Sequence, residues 1–381
     1  MPMKDRKVIS LFSGAMGLDI GLQQAGLDIV IGQDFDKACI STIVKNNHKV
    51  IPGDIRLLDP QTILDASGIP QGKIFLVCGG PPCQPFSTAG QRKGINDPRG
   101  SLFMDYARMI DKIRPRFFLM ENVRGLMSSP LKSDDPNGFE RVLDIILHEF
   151  EKLKYKTVYG LLDAVNYGVP QFRERFIMIG SRDGEDIFLP LPTHFQMHQD
   201  PQRRWQTLRS AISDLENDPG EYSEMSESRL KYLKMVPMGG NWHDIPPELL
   251  KEAMGGAYLS GGGKVGFYRR LDYNQPCPTL TTSPAQKSTM LCHPTQDRPL
   301  SVREYARIQQ FPDEWIFSGA ISDKYKQIGN AVPVGLARAI GQSIIATAEG
   351  NACIKTKRTR GTNVHARIIK AMTLGGNHYA K

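Results

Sequence analysis

Apolar residues in the first 180 positions come in short unbroken runs rather than in alternation with polar ones. The runs 8–12 (VISLF), 29–31 (IVI), 50–51 (VI), 73–78 (KIFLVC) and 117–120 (FFLM) therefore read as strands buried on both faces. Between them the spacing becomes helical. Leu18, Gly21, Leu22 and Ala25 share a face, and short helices are predicted near 37–46 and 59–66. Leu102, Phe103, Tyr106, Met109, Ile110 and Ile113 form a stripe that Pro115 ends. Another stripe over 138–153 opens with Asn137 and Glu140 at capping-box spacing. Segments 155–165 and 175–179 read as closing strands. This alternation predicts an α/β fold, a doubly wound and mostly parallel sheet.

From 184 to 297 the periodicity fades, and Gly239-Gly240, Gly255-Gly256, Gly261-Gly262-Gly263 and Gly266 punctuate the chain. Glycine lets backbone approach a ligand closely, and Arg269, Arg270, Thr279, Thr281 and Thr282 suit phosphates and base edges. A loop-rich spacer has the same composition. Helical spacing returns at 302–309 and 334–346, with Gly329-Asn330-Ala331 between them. No apolar run approaches the length of a membrane span, and the N-terminus carries no secretory core.

Charge alters the picture only once it is located. The net charge is +8, but residues 351–381 hold Lys355, Lys357, Arg358, Arg360, Arg367, Lys370 and Lys381 with no acid. The body is nearly neutral, so any DNA contact must use localised positive charge, and the tail is expected to be flexible. Six cysteines without a CxxC pair signal neither a zinc ribbon nor a disulfide framework, which fits a reducing cytoplasm.

The candidate chemistry gathers at strand ends. Cys83 stands between Pro81-Pro82 and Gln84-Pro85, on a stiff loop after a buried strand, where a thiol is aimed rather than hidden. Ser13, Asp34, Asp54, Cys83 and Glu121 each fall just past an apolar run, so a parallel sheet would collect them on one rim. The turn 13–17 (SGAMG) resembles the front of a nucleotide-binding unit, although it is not GxGxxG. Asp34, twenty residues after Gly14, stands where an acid accepts from ribose hydroxyls; it also suits a helix N-cap ahead of 37–46. Phe35 could lie against an adenine ring. The long loop 84–100 carries Gln91, Arg92 and Lys93 and reads as functional. Arg173 and Arg175, two apart on an extended segment, are expected to face the same way, where a surface ion pair with Glu174 is the plainer alternative.

Taken in order, FSGAMG (12–17), QDFD (33–36), GDI (53–55), GGPPCQPFS (79–87), DPRGSLF (97–103), ENV (121–123), YGVPQFRER (167–175), RPLSVREYARIQQFP (298–312) and QIGNAVP (327–333) resemble the motifs of the DNA (cytosine-5)-methyltransferases. The resemblance implies a Rossmann-like methyltransferase sheet with a smaller, loop-rich target-recognition domain. It implies S-adenosylmethionine as methyl donor at Phe12, Gly14, Gly17, Asp34, Phe35, Asp54, Ile55, Leu102 and Asn330. It makes Cys83 the nucleophile, with Glu121, Arg173 and Arg175 as catalytic partners, and requires no metal. The expected division is a catalytic domain over 1–183 and 298–350, target recognition over 184–297, and the tail 351–381. Asp34 and Phe35 stand where the family often has Glu and Trp, and Ala331 replaces a frequent Ser. The expected protein is a bacterial, cytoplasmic, monomeric enzyme acting on duplex DNA, the modification arm of a restriction–modification system with a cognate endonuclease. An RNA (tRNA) cytosine-5 methyltransferase and a non-catalytic regulator binding the donor or DNA are the alternatives.

Overall fold

The computed structural model describes residues 6–82, 102–128, 141–261 and 264–351. Seven strands among them form one sheet in the order β3-β2-β1-β4-β5-β7-β6. These are β1 (Lys7–Leu11), β2 (Asp28–Asp34), β3 (Val50–Pro52), β4 (Leu76–Gly79), β5 (Phe117–Val123), β6 (Lys156–Asp163) and β7 (Glu174–Ser181). The first five run parallel; β7 is antiparallel to both β5 and β6. The fold is the mixed α/β architecture with a mostly parallel sheet that the alternation predicted.

Continuous apolar strands bury both faces, and successive residues show it directly. Val8, Leu76, Cys78, Phe117, Leu119, Ile177 and Ile179 join one core. Their neighbours Ile9, Val77, Phe118, Met120, Phe176 and Met178 join another on the opposite face. Helices α1 (Gly17–Gln24) and α2 (Lys37–Lys45) lie on the first face, and α3 (Pro60–Ser67), α4 (Leu102–Ile113) and α5 (Val142–Lys152) on the second. Beyond β7 come the short helices α6 (Leu208–Ile212), α7 (Glu227–Leu233) and α8 (Leu250–Met254), then α9 (Val302–Ile308), α10 (Ile321–Asn330) and α11 (Val334–Ala348). Gly21 permits the close approach of α1 to α11, since a Cβ there would overlap Ala337 and the Val334 carbonyl.

Several expectations shift. Strand β4 begins at Leu76 rather than at 73, although Ile74 and Phe75 are buried. Gly329 and Asn330 finish a helix, α10, that periodicity did not single out. Helix α5 starts at Val142, and Asn137 and Glu140 lie outside the described residues. The span 184–297 contributes to two cores: Met225, Leu233, Val236, Tyr268 and Met290 form one of their own. Leu208, Ile212, Leu271, Tyr273, Leu280 and Leu291 from the same span pack into the first sheet core. One stretch, Ile321–Ala348, is long and apolar enough to cross a membrane, contrary to the expectation of none. It is two helices broken at 331–333, and 61% of its apolar window is buried in the fold, so a protein core explains its composition.

Candidate active site

The rim begins at the turn joining β1 to α1. Phe12, Gly14 and Met16 adopt left-handed backbone at φ 54°, 56° and 66°. Ser13 N donates to Gln33 O (3.0 Å) and Gly14 N to Asp34 Oδ2 (2.7 Å). At Gly14 the requirement is conformational, because a Cβ would meet nothing within 4 Å. At Gly17 it is spatial: a Cβ would lie 2.5 Å from Val332 O and 3.0 Å from the Ala331 side chain. That contact draws the segment after Asn330 onto the turn. Ser13 itself is buried, its hydroxyl donating to Ser10 O or Oγ and accepting from Gln33 N. It serves the turn.

Asp34 is the last residue of β2, and its second oxygen accepts from Asp36 N (2.9 Å). The N-cap of α2 is Asp36, not Asp34: Asp36 Oδ1 accepts from Ala38 N and Cys39 N, and Lys326 donates to its Oδ2. Burial holds the Asp34 carboxyl above the ordinary carboxylate range against the pull of the Asp36 and Gly14 amides. The neighbouring Phe35 ring is 66% exposed, an aromatic face open to solvent. Asp54 is clamped by the Arg56 guanidinium, which holds its carboxyl low. Ile55 is buried beneath it, and Arg108 from α4 donates to Ile55 O (2.7 Å) and Leu58 O (3.1 Å). Leu102 is half-buried at the start of α4.

The other wall is built by β5 and β7. Glu121 lies inside β5, two residues before its end, rather than beyond it. Val123 is opposite Arg175 in the antiparallel register, and Arg175 Nε reaches within 2.7 Å of Glu121 Oε1. Burial raises the Glu121 carboxyl above its usual range, outweighing the Arg175 and Arg173 charges that lower it. Gly80 passes close, since a Cβ there would stand 2.8 Å from Glu121 Oε2. Asn122 Nδ2 donates to Pro81 O (3.0 Å), pinning the proline turn to β5. Cys83 and the loop 84–100 with Gln91, Arg92 and Lys93 lie outside the described residues.

Arg173 lies close enough to Glu121 for each to feel the other's charge, but its hydrogen bonds go elsewhere. It precedes β7, is buried, and donates to Leu280 O (3.0 Å) and Gly329 O instead of to Glu121. Asn330 is exposed at the end of α10, one residue from that carbonyl. Sequence reading gave no role to Asn122, Arg108, Gln171 or Gln309; all but Arg108 stand inside the family-like motifs, the only signal that could have found them.

The profile of the C-5 cytosine-specific DNA methylase family matches residues 6–346. The chain belongs to this family. It is a DNA (cytosine-5-)-methyltransferase. Its relatives include the Type II methyltransferase M.Sau96I of Staphylococcus aureus, 41% identical over 90% of this chain and 76% of that protein. M.PspPI of Psychrobacter sp. (strain TA137) is 40% identical over 90% of this chain and 80% of its own. M.Eco47II of Escherichia coli is 39% identical over 89% and 78%. Among solved structures, a protein described as a DNA modification methyltransferase encoded within an E. coli prophage superposes with a TM-score of 0.64. It is 23% identical, over 90% of this chain and 99% of that one. A DNMT2 mutant from Spodoptera frugiperda gives 0.54 at 19% identity over 89% and 99%. These structural likenesses concern the fold.

Proposed function

We propose that this methylase transfers the methyl group of S-adenosylmethionine to C5 of a cytosine flipped out of duplex DNA, through a transient bond between Cys83 and C6. The donor would be held by the turn at Phe12, Gly14 and Gly17, by Asp34 at the ribose, Phe35 against the adenine, Asp54, Ile55 and Leu102 beside it, and Asn330. The open space over Gly14, the exposed Phe35 ring and the buried Asp34 carboxyl beneath it fit such a nucleoside. When bound, the donor supplies a methyl group already activated by its sulfonium.

The chain's own residues do the rest. C5 of cytosine is a poor nucleophile, and addition of the Cys83 thiolate to C6 pushes electron density onto it. Glu121, whose carboxyl burial raises above its usual range, would hydrogen-bond the ring at N3 and share a proton with it as charge builds there. Arg175 holds Glu121 and would stabilise charge that develops on the base carbonyl. With the methyl group on C5, a base takes the C5 proton, and its electron pair re-forms the C5–C6 double bond as the Cys83 sulfur leaves as thiolate. The base must leave the duplex stack for this, and loop 84–100 would close over it. Span 184–297 would read the target sequence. The Type II relatives support a place in a restriction–modification system, with an endonuclease cutting the same site in the bacterial cytoplasm, and the enzyme would work as a monomer.

The raised Glu121 carboxyl, held by Arg175 against the Gly80 backbone, carries this reading. The recognition site is found by mapping 5-methylcytosine in DNA from cells expressing the protein. A duplex with 5-fluorocytosine at that site, incubated with donor, should then trap a protein–DNA adduct on Cys83. An adduct on another residue, or none, would falsify the covalent route.

A further inference from the structure

Gln171 and Gln309 have no exposed surface, and the proposed chemistry uses neither. Their amides face each other: Gln171 Nε2 donates to Gln309 Oε1 at 3.0 Å. Gln309 Nε2 donates in turn to Ile328 O (2.8 Å) and Ala331 O (3.2 Å). Gln171 Oε1 accepts from Leu280 N (2.9 Å). Arg173 bonds Leu280 O and Gly329 O. The carbonyls of residues 328, 329 and 331, on both sides of Asn330, are therefore all held from inside the protein, while Asn330 itself is exposed.

This arrangement costs free energy that a plain core would not. Burying two primary amides is unfavourable unless every polar atom is bonded, and an apolar side chain would fill either position without that requirement. What the amides add is geometry. They define where α10 stops and in which direction Asn330 leaves it. The same joint abuts the turn that bears Gly14, because Gly17 packs against Ala331 and Val332.

We infer that Gln309 is a positioning residue for methyl-donor binding: it acts through Asn330 by fixing the last turn of α10, with Gln171 as its support. This rests on the reading of the rim as the donor site. Net hydrogen-bond strengths in proteins translate into modest factors, so Gln309→Met should weaken binding of S-adenosylhomocysteine about fivefold. The donor KM should rise in step, while kcat at saturating donor on duplex DNA changes less than about twofold, the pattern expected when uniform binding is weakened.

Calorimetric titration of the full chain with S-adenosylhomocysteine tests this, alongside Asn330→Ala and the double variant. Because Gln309 acts through Asn330, the double variant should bind no more weakly than Asn330→Ala alone. Unchanged affinity in Gln309→Met, or losses that multiply in the double variant, overturns the inference. If Gln309→Met does not fold, Gln171→Met removes the amide that supports Gln309, along with the acceptor for Leu280 N, and should weaken binding about twofold; unchanged affinity there overturns it equally. A wild-type protein that binds no S-adenosylhomocysteine would instead refute the donor reading itself.

Discussion

Arg175 Nε stands 2.7 Å from Glu121 Oε1 across the antiparallel seam between β5 and β7. Both groups are nearly sealed from water, yet burial still leaves the carboxyl above its ordinary range. Such an acid can hold a proton for the cytosine ring. As pH rises through its raised pKa the acid is lost, so kcat should decline on the alkaline side. Glu121→Gln keeps a neutral donor but cannot transfer the proton: kcat should fall about a hundredfold and the alkaline decline attributable to Glu121 should vanish. A pH profile of single-turnover rates checks both; an unaltered profile in the variant removes Glu121 from the chemistry.

Cys83→Ser should abolish methyl transfer while affinity for duplex DNA stays within about tenfold, since the thiol supplies chemistry rather than docking. Tritiated methyl incorporation and gel-shift titration measure the two separately. Retained turnover would eliminate the thiol as nucleophile.

Phe35 and Gly17 separate binding from architecture. The exposed Phe35 ring supports little packing, so Phe35→Ala should alter unfolding free energy by less than about 0.5 kcal/mol. Its affinity for S-adenosylhomocysteine should nevertheless drop about tenfold. Gly17→Ala forces a methyl against Val332 O and should lower stability by roughly 1–3 kcal/mol as well as donor affinity. Equal stability losses in the two variants would contradict the distinction.

Asp19, completely buried in α1, has no part in the proposed reaction. Burial pushes its carboxyl up to about 7, with the Ser10 hydroxyl pulling the other way. An unfolded Asp titrates near 3.9, so between about pH 4 and pH 7 the folded chain keeps a proton that the unfolded chain has lost. Stability from this group is full below that window, falls as pH rises through it, and is constant above. Asp19→Asn abolishes the slope, so its advantage over wild type should grow to on the order of 4 kcal/mol by pH 8. Urea melts at pH 5 and pH 8 decide; the same gap at both pH values would refute it.

Seven basic residues without an acid occupy 351–381. If they neutralise phosphates, deleting them should flatten the slope of log affinity against log salt by up to about 0.9 for each phosphate no longer neutralised. Fluorescence anisotropy over a salt series measures it, and an unchanged slope makes the tail a bystander.

The fold was legible because its signal is local. A run such as FFLM, apolar throughout, can be satisfied only between two layers, and the structure sends Phe117 and Phe118 to opposite cores as that pattern requires. Asp34 stands at the carboxyl end of its strand and Glu121 two residues short of the end of its own, for the same reason. Partner choice was not legible. Asp34 was the cap expected from the sequence, but the extended backbone of Asp36 turns that side chain onto the Ala38 and Cys39 amides and gives it the cap. Arg173 and Arg175 look equivalent, yet Leu280 and Gly329, more than a hundred positions away, take the first and leave Glu121 to the second.

The amino-acid order alone determined the layers, the rim and the residue types that chemistry at that rim requires, because period and spacing are properties of neighbouring positions. Only the tertiary structure decided that the carbonyls around Asn330 are held by Gln309 and Arg173, and that Gly17 admits the segment after Asn330 onto the β1–α1 turn. Those interactions join segments far apart in the chain, and a hydrogen bond depends on distance and angle, which spacing along the sequence does not encode.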